Sequence, residues 1–327
     1  MSSTLKSALV TGSTGFLGSA LVTRLLAENV EVTCLVRSQS ISKAHAFAAD
    51  PRICVVEVSS FETSVLQSKL AGISAEVVFH LASYGVQQAD RDIDQLVEGN
   101  VAIVLHLLRA TARWPLRRFV HTGTCSEYGY PGPQGALIAE THSVQPRSLY
   151  GAVKAASVLC GNALASTLNI PFVTLRLFGV FGTRETPPRL VPYIISKLQN
   201  DQPVDLTPGE QVRDFLFEDD VAAAFLAAAT AEGLKSGKAY NVCSSRPTRI
   251  RELGEMVADA MGKPRELLHW GERPYRSDEP MWLVGDNRRF REATSTWCPT
   301  IGLQEGICRV LDHARELRKR DEHQYGV

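Results

Sequence analysis

Several things are scarce in this sequence, and each scarcity removes a class of protein. The seven cysteines, at positions 34, 54, 125, 160, 243, 298 and 308, include no CxxC pair. Scattered and odd in number, they argue against structural zinc and a disulfide framework, and fit a reducing compartment. Neither charge is in excess, since Lys+Arg and Asp+Glu both number 35. No global field therefore draws the chain to nucleic acid or an anionic membrane, and an anionic ligand has to be held by a local site. No apolar run approaches the roughly 18 residues of a membrane span. Met1-Ser2-Ser3-Thr4 does not read as a signal peptide. A cytoplasmic enzyme that binds neither nucleic acid nor membrane is the expectation.

What is present is an ordinary globular composition, 44% hydrophobic and 21% charged over 327 residues, enough for a large core and an added lobe. The apolar run within Leu5–Thr11 suits a buried parallel strand. It leads into Gly12-x-x-Gly15-x-x-Gly18 and a helical pattern reaching about Glu28. Strand, glycine turn and helix form a phosphate cradle, because the turn lets a ligand approach the backbone and the helix start offers unpaired N–H groups. The next strand, Val30–Val36, lacks the terminal Asp or Glu that would bind a ribose 2′-hydroxyl and is followed by Arg37 and Ser38. An arginine fork suits a 2′-phosphate, so NADP(H) is favoured over NAD(H).

Further strands are expected at Ile53–Val58, Val77–Leu81, Arg118–Thr122 and Pro171–Leu177, with a long helix at Asp92–Arg113. His80 reads as a packed strand histidine, having no second ligand at metal spacing beside it, and no metal is expected. A loop rich in Pro and Gly (Pro131, Gly132, Pro133, Gly135) leads to Ser148-Leu149-Tyr150-Gly151-Ala152-Val153-Lys154. Ser148 can cap a helix on which Tyr150 and Lys154, four apart, share a face. The fold class is α/β, a Rossmann-type doubly wound parallel sheet with a smaller C-terminal substrate-binding lobe. Residues 1–177 and 214–245 are assigned to the nucleotide domain, and 178–213 and 246–327 to the lobe.

These segments resemble, in order and spacing, the extended short-chain dehydrogenase/reductases that act on nucleotide-activated sugars. The likeness rests on the glycine turn, His80-Leu81-Ala82-Ser83, Asn100, Thr122–Gly129 and Tyr150-x-x-x-Lys154. It continues through Arg176–Gly182, Gly209–Phe217, Asp219-Asp220-Val221 and Trp297–Ile307. The resemblance implies a catalytic set of Thr124, Tyr150 and Lys154, with Lys154 lowering the Tyr150 pKa. It implies cofactor contacts from Gly12, Thr14, Gly15, Phe16, Leu17, Gly18, Arg37, Ser38, Glu57 and Val58. Leu81, Ala82, Ser83, Asn100, Thr122, Tyr150, Lys154, Leu177, Phe178 and Val180 would complete that surface. Tyr84, Thr124, Cys125, Ser126, Gly179 and Arg213 would meet the substrate, with Arg273 or Arg276 as a second diphosphate arginine.

Departures from the family pattern narrow the implied reaction. The 4,6-dehydratases carry Asp-Glu directly after the Thr, where this chain has Cys125-Ser126. The fucose-synthase-like enzymes carry a Cys where this chain has Ser126, and an Asn is common where Gly179 stands. The implied activity is NADPH-dependent 4-ketoreduction of a nucleotide-diphospho-4-keto-6-deoxy-sugar, as in CDP-abequose/paratose-type synthases. An NAD-dependent 4-epimerase is the alternative, and a catalytically silent NADP-binding regulator a third. A homodimer paired through Asp92–Arg113 and Leu149–Leu168 is also implied.

Overall fold

The structure, a computed structural model, describes residues 4–44, 48–85, 90, 92–129 and 135–325. Pro131, Gly132 and Pro133 of the expected loop lie outside the described residues. The first half alternates strand and helix: β1 (Ser7–Thr11), α1 (Phe16–Ala27), β2 (Glu31–Arg37), α2 (Ile41–Ala44), β3 (Ile53–Val58), α3 (Thr63–Lys69) and β4 (Val77–His80). Then come α4 (Ile93–Val97), α5 (Ile103–Ala110), β5 (Arg118–Thr124), α6 (Leu149–Thr167) and β6 (Phe172–Leu177). The second half holds β7 (Gly179–Phe181), α7 (Leu190–Gln199), β8 (Val204–Leu206), β9 (Val212–Phe217), α8 (Glu218–Thr230) and β10 (Lys238–Val242). It ends with β11 (Pro247–Arg249), α9 (Ile250–Met261), β12 (Leu268–Trp270), β13 (Trp282–Leu283), α10 (Arg288–Thr294) and α11 (Leu303–Tyr325).

Seven strands pair in parallel in the order β10-β6-β5-β4-β1-β2-β3. The order reverses at β1, and the carboxyl ends of β1 and β4 open the crevice where ligands of such sheets bind. Central strands β4 and β6 are buried at every position, polar His80, Thr174 and Arg176 included, as strands covered on both faces are. On one face α1 and α8 pack through Leu21, Leu25, Val221 and Phe225. On the other, α3, α5 and α6 cover Phe119 and Phe172, whose rings stack at 5.3 Å.

The helix expected over Asp92–Arg113 is interrupted. Asp92 caps α4, a π-helical turn spans Glu98–Ala102, and α5 ends at Ala110. Asn100 sits in that turn, and its amide donates to the carbonyls of Leu96 (2.9 Å) and Tyr84 (2.8 Å). The widened turn thus secures the loop after β4, consistent with the frequent placement of π-bulges at functional sites.

The segment 214–245 divides between the two parts of the molecule. While α8 and β10 join the large sheet, β9 is the centre of a small one, flanked by β11 antiparallel and by β7 and β13 in parallel. Its alternating burial looks like any half-buried strand, so only its partners reveal where it belongs. A separate core of Phe181, Ile194, Leu253, Val257 and Ile307 lies beneath this sheet, and β8 and β12 form a further pair. Asp220 binds the Thr300 and Ile301 amides, so the Asp219-Asp220-Val221 motif docks the C-terminal segment.

Candidate active site

The glycine turn is fixed by close approach. Gly12 has φ +70°, and a Cβ there would lie 2.7 Å from the Ala82 nitrogen. A Cβ on Gly18 would lie 1.9 Å from the Gly12 carbonyl oxygen, so helix and turn touch backbone to backbone. Gly15 caps α1 without a side-chain hydrogen bond, which leaves first-turn amides available to an anion. A cavity of about 430 Å³ opens there, lined by Gly12, Thr14 and Gly15 from the turn and by Leu35, Val36, Arg37 and Ser40 from the end of β2. Leu81, Ala82, Ser83 and Tyr84 form its opposite wall. The missing Cβ atoms, the unpartnered helix start and an arginine at the rim fit a dinucleotide phosphate chain.

Part of the expected lining is displaced. Val58 is buried in the core and Glu57 is exposed, and neither lines the cavity; Ser60 and Phe61, beyond the end of β3, form that wall. Ser40 replaces Ser38, because the chain turns into a short 3-10 segment directly after Arg37. Phe16 and Leu17 open α1 beside the turn, and Gly18 is buried beneath it. Leu177 and Phe178 are buried and Val180 partly so, while Thr122 keeps a buried hydroxyl with no protein partner. Asn100 acts from behind the wall, accepting from the Ser83 hydroxyl at 2.8 Å.

The expected catalytic residues meet where β5 ends and α6 begins. Strand β5 runs two residues beyond its expected end, to Thr124, which caps a 3-10 turn over Cys125–Tyr128. Ser148 caps α6 through the Gly151 amide at 3.0 Å. A Cβ on Gly151 would lie 2.5 Å from the Ser126 carbonyl oxygen, so glycine between Tyr150 and Lys154 lets α6 press against that turn. The Thr124 hydroxyl donates to Ser126 Oγ over a long 3.3 Å and accepts from the Ser126 amide at 3.2 Å.

Lys154 is buried, and burial lowers its pKa to about 8, with Glu127 opposing. Burial raises the Tyr150 pKa, with the Ser83 hydroxyl opposing. The Lys154 charge also bears on two neutral imidazoles, whose pKa values it lowers. Those imidazoles belong to His80, held near 3, and His121, held well below its ordinary value, both chiefly by burial. They stack at 5.4 Å, while Thr11 Oγ1 meets His80 Nδ1 at 2.7 Å and Ser157 Oγ meets His121 Nε2 at 3.0 Å. Among the described residues, no group of three or more His, Cys, Asp or Glu could hold a metal ion.

Sequence reasoning missed two carboxylates. Glu127 is fully buried, accepting from the Thr124 amide at 2.8 Å and from Arg176 Nε at 2.7 Å. Glu279 draws Arg213 and Arg276 together: Arg213 Nη2 donates to one oxygen and Arg276 Nε to the other at 2.7 Å. Arg273 goes elsewhere, its guanidinium 5.0 Å above the Tyr193 ring and its Nη2 2.8 Å from the Tyr193 hydroxyl. The Arg276-x-x-Glu279 spacing was the available signal for Glu279. Cys125 is buried with its thiol pushed up to about 12, and Gly179 is required because a Cβ there would lie 2.3 Å from the Asp214 carbonyl oxygen.

Fold and site together define a Rossmann-type dinucleotide-binding protein with a Tyr–Lys pair at the sheet's carboxyl edge. Residues 8–243 match the model of the NAD dependent epimerase/dehydratase family, and the chain belongs to it. It is 29% identical over 314 residues to a UDP-glucose 4-epimerase of Mycolicibacterium smegmatis, covering 94% of this chain and 98% of that one. It is 29% identical over 255 residues to a dTDP-glucose 4,6-dehydratase of Neisseria meningitidis, covering 73% of this chain and 71% of the relative. The structure of a Thermus thermophilus UDP-glucose 4-epimerase complexed with NAD superposes with a TM-score of 0.81 at 26% identity, covering 94% of this chain and 99% of that one. No helix among the described residues is long and apolar enough to cross a membrane.

Proposed function

We propose that the chain is an NADPH-dependent ketoreductase that reduces the 4-keto group of a nucleotide-diphospho-4-keto-6-deoxy-sugar. One observation carries the reading: the site holds a half-buried phenol and a hydroxyl, Tyr150 and Thr124, while the Glu127 carboxylate beside Thr124 is occupied. Both oxygens of Glu127 are engaged, by the Thr124 amide and by Arg176, and Cys125 and Ser126 fill the positions of a dehydratase acid/base couple. A phenol whose pKa is raised rests protonated, which suits a proton donor; an epimerase must begin by removing a proton from a sugar hydroxyl.

When bound, NADPH supplies the hydride to the ketone carbon. Tyr150 gives its phenolic proton to the oxygen. The Lys154 ammonium offsets the phenolate that remains. Thr124, released from its long bond to Ser126, orients the carbonyl oxygen. Arg213 and Arg276 stand together for the diphosphate, with Glu279 yielding one or both. The alternative, an NAD-dependent 4-epimerase of nucleotide sugars, is favoured by the near full-length likeness to the mycobacterial epimerase.

The purified protein should oxidise NADPH with at least one member of a panel of 4-keto-6-deoxy sugar nucleotides. Silence across the panel, together with stoichiometric NAD released on denaturation, would replace the reductase by the epimerase. Arg37→Ala should weaken NADPH much more than NADH, because Arg37 stands at the cavity rim where a 2′-phosphate would emerge; equal weakening removes the NADP assignment.

A homodimer is proposed as well. Leu159, 69% exposed on α6, and Ile93, Val97 and Leu149 leave apolar surface on the helices expected to pair. Sedimentation should give a dimer that Leu159→Glu converts to monomer; a monomeric parent protein rejects it.

A further inference from the structure

We propose that Glu127 is a positioning residue for ketone reduction: its carboxylate fixes Thr124 at the end of β5 and supplies the buried negative charge that keeps Lys154 an ammonium. The inference rests on the reading of Thr124, Tyr150 and Lys154 as the reacting set.

The geometry gives Glu127 two attachments with different consequences. Oε1 accepts from the Thr124 amide, which with the Ser126 amide on Thr124 Oγ1 closes a reciprocal capping box around the 3-10 turn. Gly123 makes room for this, since a Cβ there would lie 2.7 Å from Oε1. Oε2 accepts from Arg176 Nε, and Arg176 Nη1 donates to the Tyr128 hydroxyl at 3.0 Å. That hydroxyl donates to Asn241 on β10 at 2.7 Å, so three strands of the large sheet hold the carboxylate in one place. An ion pair serving the fold alone has no need of the Thr124 amide.

The charges around Lys154 make Glu127 decisive. His80 on β4 and His121 on β5 are neutral, and Tyr150 on the same helix is protonated. The Cys125 thiol is likewise neutral, with Arg213 and Asp214 of β9 acting on it rather than on Lys154. Glu140 faces Tyr128, and Arg189 reaches Tyr150. Glu127 lies on the 3-10 turn against which α6 packs at Gly151, three residues before Lys154, and is the carboxylate that raises the Lys154 pKa against burial. Arg176 neutralises it from the far side, so its removal uncovers a cation as well.

Glu127→Gln should move the Lys154 titration down by about one pH unit, the low end of what a close opposite charge contributes. The direct reading is the 13Cε shift of Lys154 in cofactor-free protein, assigned by comparison with Lys154→Arg. In turnover, the alkaline limb of kcat/KM should move by the same amount, about tenfold less activity per unit above it. Glu127→Asp, which keeps the charge but shortens the reach to Thr124, should restore the limb while kcat stays reduced. A uniform loss of rate in both variants, with the limb and the Lys154 titration unmoved, overturns the proposal. If Glu127→Gln does not fold, Glu127→Asp decides: a limb and a Lys154 titration at their parental positions with lowered kcat support it, and a parental kcat rejects it. If no ketone is reduced at all, the cofactor-free titration still tests the role of the charge, so the two failures are distinguishable.

Discussion

Tyr150→Phe is expected to lower turnover by about a hundred- to ten-thousandfold, the usual contribution of a positioned general acid, while leaving folding and NADPH affinity nearly unchanged. The phenol is half-buried where α6 begins, beside Ser83 and against the loop carrying Gly85. Deleting its oxygen strands no partner, because the Ser83 hydroxyl is already bonded to Asn100 Oδ1 at 2.8 Å. Thr124 and Lys154 remain in place, held by β5 and by α6 from Ser148 onward. Single-turnover oxidation of NADPH, measured beside a thermal melt, separates chemistry from folding. A loss below tenfold in a folded variant would take the proton-donor role away from Tyr150.

Glu185→Gln should stabilise the protein above neutral pH by about 2 to 3 kcal/mol and leave it unchanged in acid. The Glu185 side chain is 4% exposed and its Oε2 has no protein partner. Burial lifts its pKa from 4.5 to about 7, Arg189 at 3.6 Å opposing and Glu218 assisting. The folded state therefore holds its proton longer than the unfolded chain. No penalty exists below pH 4.5, and the penalty grows as pH rises through the window from 4.5 to about 7, above which it is full. At about 1.4 kcal/mol per unit the shift from 4.5 to about 7 sets a ceiling of about 3.5 kcal/mol. Urea midpoints at pH 4 and pH 8 test this. An equal change at both would mean that packing, not ionisation, sets the cost.

The large sheet and the cofactor turn were legible because local chemistry dictates them. Apolar runs such as those of β1 and β4 are what strands buried on both faces need, and Gly12 and Gly18 stand where any side chain would collide. Ser148 marked the start of α6 because a serine cap acts within its own turn. The misses share a different cause, since each depended on what lies across space. Nothing local tells β9 to join β7, β11 and β13, or turns Glu127 toward Arg176, 49 residues away. The resemblance implied contacts from Glu57 and Val58, whereas after β3 the chain lines the cavity with Ser60 and Phe61.

The order of strands in space sets an order in time during synthesis. Although β1 emerges from the ribosome first, it lies between β2 and β4, so its second neighbour does not exist until His80 has been made. The sheet gains its last strand with Val242, well before α11 begins at Leu303. That final helix contributes Ile307, Val310 and Leu311 to the core beneath the small sheet. A chain growing at about 5 to 20 residues per second therefore completes its large sheet while the core beneath the small sheet still lacks its last helix. The large sheet is completed first, and the core of the small sheet closes last.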